Sequence, residues 1–126
     1  AAERRARALF LSKLDARQRR DWVLRRRFRV RGSAGTPFVV SAYRPYNVRT
    51  DDAVFCLQVV GVAPAFDKLL AQKLLLEADE AYFLALANVR TYSNRWRPRV
   101  EAARADCRER GLIAPRAPAA VTRAAS

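Results

Sequence analysis

The chain is 126 residues long and 51% hydrophobic by count, which fits one domain with extensions. Lysine and arginine number 25 against 12 acids, for a formal net charge of +13, and 22 of the 25 are arginine. No stretch reaches the roughly 18 apolar residues of a membrane span. Two cysteines and no histidine fit neither a disulfide framework nor a zinc site. So basic a chain favours a polyanion: nucleic acid first, an acidic protein surface or anionic membrane second. Arginine over lysine suits bidentate phosphate contacts and stacking on bases. A GC-rich coding bias also writes arginine freely, but it does not explain the net excess of positive charge.

Residues 2–26 read as helix in two pieces. Arg4, Arg5 and Arg7 precede an apolar cluster of Leu9, Phe10, Leu11 and Leu14. Asp15 with Gln18 three residues on has the form of a capping box, so a second helix starts there. It carries Trp22 and Val23 inward and Arg17, Arg19, Arg20, Arg25 and Arg26 outward. The period then changes to two: Arg27-Phe28-Arg29-Val30-Arg31 is a half-buried strand with three arginines on one face. Residues 32–35 are a turn, and residues 36–42 a second strand with Phe38, Val40 and Ala42 on one side. Pro37 places that strand at an edge or marks its first residues. Tyr43 to Tyr46 connect to a short strand at 47–49, and 50–52 turn again. Residues 53–60 are apolar on both faces, as in the most buried strand, and Gly61 and Pro64 end it.

Residues 64–89 read as one unbroken helix on which the rest is organised. Phe66, Leu70, Leu74, Ala78, Tyr82, Ala85 and Val89 fall on one line, and Leu69, Leu76, Phe83 and Leu86 on another. Lys68, Gln72 and Asp79 form one narrow polar strip, and Lys73, Glu77 and Glu80 a second. Asp67 suits the helix start. Pro98 and Gly111 bracket a further helix at about 98–110, with Val100, Ala103 and Cys107 on its apolar side. Residues 114–126 are an Ala/Pro/Arg tail not expected to fold alone.

The expected fold is α+β: a small antiparallel meander of three to four strands packed on one long helix, with arginine-rich helical extensions at both ends. The expected division is a basic extension at 1–26, a compact centre at 27–89, and a basic extension and tail at 90–126.

The middle of the chain resembles a small domain of bacterial and bacteriophage proteins that has a basic hairpin, an Asn-Val pair, a Cys, a Pro and an Asp-led Leu-Ala-Gln-Lys helix. The matching residues are Phe28, Val30, Gly32, Gly35, Asn47, Val48, Cys56, Pro64, Asp67, Leu70, Ala71, Gln72, Lys73, Glu77, Asp79, Glu80, Ala87 and Asn88. The resemblance spans about residues 14–88. It departs in the second strand, where Val39, Ser41 and Ala42 replace the usual arginines. It implies a fold and supplies no catalytic residues.

Catalysis finds little footing. Without histidine, acid–base work falls to carboxylates, Tyr, Lys or Cys. Glu77 and Glu80 fit a solvated strip that balances Lys73 better than an acid–base pair. Asp51 and Asp52 read as a turn, with no further ligands at metal-binding spacing. Cys56 fits an inert core thiol, and Cys107 a helix contact, although three nearby arginines would favour its thiolate. Residues 32–35 lack the Lys and following helix of a phosphate loop. The chain is therefore expected not to be an enzyme, to need no cofactor or metal, and to take no small-molecule substrate.

Binding has more support. Tyr43, Arg44 and Tyr46, and Tyr92, Arg95, Trp96, Arg97 and Arg99, interleave aromatics with arginine, as single-stranded or looped RNA requires. The competing reading is that Tyr92 and Trp96 pin the C-terminal segment to the core. Arg25, Arg26, Arg27, Arg29 and Arg31 are five arginines in seven residues without one acid, which repel one another unless an anion arrives. The expected function is a non-enzymatic structural component of a large assembly, binding nucleic acid (RNA favoured) and neighbouring subunits as ribosomal proteins do. The alternative is a minor capsid or cement protein. No helix-turn-helix spacing supports a regulatory DNA-binding protein. No membrane partner is expected. With no recognisable signal peptide, the expected location is intracellular or inside an assembled particle, ribonucleoprotein or virion.

Overall fold

The computed structural model describes residues 1–42, 44–57 and 65–115. In chain order these form α1 (Ala2–Ser12), α2 (Ala16–Arg25), β1 (Arg27–Arg31), β2 (Pro37–Ser41), β3 (Val48–Arg49), β4 (Ala53–Cys56), α3 (Ala65–Ala78), α4 (Glu80–Leu86), β5 (Asn88–Thr91) and α5 (Arg97–Glu109). The strands make one antiparallel sheet in the order β1-β2-β3-β4-β5, and the fold is α+β.

Alternation in the sequence becomes alternation in space. Phe28 and Val30 of β1 and Phe38 and Val40 of β2 are buried, as are Val48 of β3 and Phe55 of β4. Arg27, Arg29 and Arg31 point the other way and are exposed. Pro37 opens β2 where it needs no ladder donor. The expected strand at 53–60 is seen over Ala53–Cys56, while 58–60 lie outside the described residues, as do Gly61 and Pro64.

Two aromatic groups fill the layer between sheet and helices. Phe10, Trp22, Phe28 and Phe66 meet with ring centroids 5.0–6.2 Å apart. Phe38, Phe55, Phe83 and Trp96 meet at 5.6–6.3 Å. One group thus needs α1 and α2, and the other needs Trp96 at the head of α5. Truncating a buried Phe or Trp costs ~3–5 kcal/mol, against ~5–15 kcal/mol for a whole domain. The helices before residue 27 and after residue 90 therefore share one core with residues 27–89. The tail from 116 onward lies outside the described residues.

The capping box at Asp15 is present in full: its carboxylate accepts from Gln18 N–H at 2.8 Å, and Gln18 Oε1 accepts from Asp15 N–H at 3.1 Å. Gln18 also donates through Nε2 to the Arg29 carbonyl at 2.7 Å, so α2 occupies the outer edge of β1 that would otherwise be open to pairing. Gln18 and Trp22, four apart, form the buried side of α2. Val23, expected beside Trp22, is exposed together with Leu24.

The largest departure is at 64–89. The expected single helix is two, broken at Asp79, and its last residues belong to β5. Asp79 leaves helical geometry (φ −157, ψ 81), and its side chain caps α4 by accepting from Tyr82 N–H at 3.1 Å. The β1–β2 hairpin tip inserts at this break. Ser33 N–H donates to the Leu76 carbonyl at 2.9 Å, and Ser33 Oγ accepts from Glu80 N–H at 2.8 Å. Backbone groups freed at the break thus find partners on the hairpin, as buried backbone must. Glu80, expected in a solvated strip, is 2% exposed. Its carboxylate accepts from Ala34 N–H at 3.2 Å and Thr36 Oγ1 at 2.6 Å. Gln72, also expected at the surface, is buried and forms a reciprocal amide pair with Asn47 at 2.7 and 3.0 Å. Lys73 is likewise buried, while its expected pairing with Glu77 is present at 2.8 Å.

Candidate nucleic-acid interface

The core lies on the Phe-rich side of the sheet; among the described residues of the other side, Arg27, Arg29, Arg31 and Arg90 are exposed, Val39, Arg49 and Val54 half-buried, and Cys56 buried. Pairing in the sheet sets what that open face displays. Arg29 lies opposite Val39, Val39 opposite Arg49, Arg49 opposite Val54, and Val54 opposite Arg90. In-register partners share a face, so arginine and valine alternate across all five strands. At the usual strand spacing the row is roughly 19 Å long. Arg27 and Arg31 flank it on β1.

The other arginines differ in what they are bound to. Among the described residues every arginine–carboxylate pair involves Arg95, Arg99, Arg104 or Arg110. Arg95 meets Asp51 at 2.9 Å, and Arg99 stands 3.8 Å from Glu80 and donates to Thr36 Oγ1 at 2.9 Å. Arg110 spans Asp79 at 2.8 Å and Asp106 at 3.2 Å. Four of the seven described arginines after residue 89 thus face a carboxylate, while Arg90, Arg97 and Arg108 do not. Residues 1–50 hold fourteen of the 25 basic residues but only three of the 12 acids. The unbalanced field therefore lies on α1, α2 and the β1–β3 part of the open face.

The expected site residues accordingly separate. Arg25, Arg27 and Arg29 are exposed and carry no ion pair among the described residues. Arg31 donates to the Gly35 carbonyl at 3.1 Å and remains exposed. Arg26 ends α2 in the left-handed region (φ 56) and lies against the Trp22 ring at 5.7 Å. Arg44 and Arg97 are exposed, and Tyr43 lies outside the described residues.

The aromatic half of the expected site is largely absent from the surface. Trp96 is 2% exposed, packs among Phe38 and Phe55, and is covered by Arg99 at 3.8 Å. The pinning reading of Trp96 is the correct one, and it offers no face to a base. Tyr46 is half-buried beneath Arg90, 4.5 Å from its ring. Among the described aromatics of the expected site Tyr92 alone stands free, at 79% exposure. Arg49 and Arg90 were not expected in the site. Arg49's outward position could be read from Asn47-Val48-Arg49, but its alignment with Arg29 needs the register through Val39. Arg90 was hidden because β5 read as the tail of a helix.

Three titrating groups are displaced from their ordinary values, among them Arg110, raised by its hydrogen bonds to Asp79 and Asp106. The hydrogen bond from Arg110, helped by the Tyr82 N–H and opposed by burial, holds the Asp79 carboxyl below the usual carboxylate range. Burial pushes the Cys107 thiol up, against the pull of Arg110, so the arginines around it do not make a reactive thiolate.

Among the described residues, no helix is long and apolar enough to cross a membrane, and no group of three or more His, Cys, Asp or Glu could hold a metal ion. No family model matches the chain, and no curated protein and no solved structure is similar to it at the level searched.

Proposed function

We propose that the protein is a non-enzymatic, nucleic-acid-binding component of a larger assembly, and that the open sheet face is its contact surface. The observation that carries this reading is the in-register row Arg29–Val39–Arg49–Val54–Arg90, whose charges have no carboxylate partner among the described residues. Guanidinium groups on a flat sheet suit phosphate oxygens and fix position without reading sequence. Among the described residues the support for RNA in particular narrows to Tyr92, because Trp96 is buried and Tyr46 half-buried. Non-enzymatic character is supported by what holds the two candidate carboxylates. Glu77 is bound to Lys73, and Glu80 to the hairpin tip.

Fluorescence anisotropy with a labelled oligonucleotide over a salt series tests the proposal. Affinity should fall steeply with salt, and each of Arg29→Ala and Arg49→Ala should reduce the log–log salt slope by about 1. Arg95→Ala should leave binding unchanged, because that guanidinium already faces Asp51. Absence of salt-dependent binding, or equal losses from Arg95→Ala and Arg29→Ala, would overturn the assignment.

A further inference from the structure

Four arginines from three elements converge on one depression at the β1 end of the open face. Arg25 comes from the last turn of α2, Arg27 and Arg29 from β1, and Arg49 from β3. Phe28 and Val39 complete the lining with Asp21, the one acid among them, and the volume is about 150 Å³. None of the four arginines is in an ion pair among the described residues. Farther along the row Arg90 stands two strands from Arg49, the same interval as Arg49 from Arg29, and it does not line this depression.

Spaced arginines match internal phosphodiesters, each of which carries a single charge. Four around one small depression, offset by one aspartate, leave a surplus of three positive charges. A phosphomonoester brings about −1.5 to −2 at pH 7 and three acceptor oxygens, which guanidinium forks take in pairs. We infer that this depression seats the terminal phosphate of a nucleic-acid strand, so that the protein distinguishes a phosphorylated strand end from a hydroxyl end. The inference rests on the proposed nucleic-acid function and adds the part of the strand that is held most tightly.

The test uses the full chain and three single-stranded oligonucleotides of one sequence, bearing a 5′-phosphate, a 3′-phosphate or neither, compared by anisotropy at fixed salt. One phosphorylated form should bind about tenfold tighter than the hydroxyl form. Arg25→Ala and Arg49→Ala should bring that ratio toward one. Arg90→Ala, at the far end of the row, should weaken all three equally and preserve the ratio. Equal affinity for all three with salt dependence intact overturns the strand-end inference and leaves the sheet-face reading standing. No binding of any overturns both. A preference that survives Arg25→Ala and Arg49→Ala, or a phosphoserine peptide that competes as well as the phosphorylated strand, also overturns the inference.

Discussion

Replacing Gly32 by alanine would place a methyl group where the Glu80 carboxylate lies. The new Cβ would stand 2.8 Å from Glu80 Cδ, closer than real contacts allow, and 3.0 Å from the edge of the Phe38 ring, a tight contact. Gly32 is not at positive φ, unlike Gly35 and Gly111, so its backbone alone would accept alanine. At an unobstructed site the change would stabilise by about 0.4–1 kcal/mol through the unfolded chain. Here the carboxylate must move, which breaks its bonds to Ala34 N–H and Thr36 Oγ1 while leaving the charge buried. That loss is on the order of 3 kcal/mol. In a Glu80→Ala background only the Phe38 ring edge remains close, and the same substitution should cost much less. Urea unfolding followed by tryptophan fluorescence on the four proteins of this cycle gives the coupling directly. If Gly32→Ala costs the same with and without Glu80, the clash is not what requires glycine there, and the reasoning fails.

Asp79→Asn keeps a capping side chain and removes the charge that Arg110 stabilises. Because the folded-state pKa of Asp79 is lowered, its contribution is present above the unfolded carboxylate range and is lost as pH falls through the folded value. The variant should therefore be less stable than the parent at neutral pH and show a shallower loss on acidification, measured by denaturant midpoints across the acid range. Gln72→Leu removes one half of a buried amide pair and strands the other, so a loss of about 1–3 kcal/mol is expected in the same assay. Tryptophan emission should not change when oligonucleotide is added, because Trp22 and Trp96 are both interior; quenching by stacked bases would contradict that placement. Ellman's reagent should react with neither Cys56 nor Cys107 in the native protein and with both after denaturation.

Where one rule governs a stretch, the chain is legible. Phe28 and Val30 alternate with arginine and do form a strand, and Asp15 and Gln18 do form a box. Pro98 and Gly111 bracket α5 to within about two residues, the margin within which helix ends are ordinarily defined. Residues 64–89 failed because helical periodicity continues through Asp79, while the partners of Glu80 at the break lie 44 to 47 residues away at Ser33, Ala34 and Thr36. Glu80 and Gln72 looked like surface residues for the same cause: a polar side chain can be buried when its partner arrives from another element, and no local pattern reports the partner. Asn47, Gln72, Gly32, Asp79 and Glu80, residues on which the expected resemblance rested, make contacts between separate elements of the fold. On the sheet face the arginines of β1 were visible, whereas Trp96 had two readings, stacking platform or core anchor, and its burial favours the second. Tryptophan beside arginine has the same spelling whether the ring lies in solvent or under a guanidinium, as Trp96 does under Arg99.

Hairpin tips are ordinarily where a protein tolerates added residues, tags or proteolytic nicks. Residues 32–36 are an exception, because their amides and hydroxyls complete the joint between α3 and α4. An epitope spliced between Ser33 and Thr36 would loosen the joint and reach the hydrophobic interior from a position that looks peripheral. For anyone labelling or immobilising this protein, the safe handles lie elsewhere on its surface.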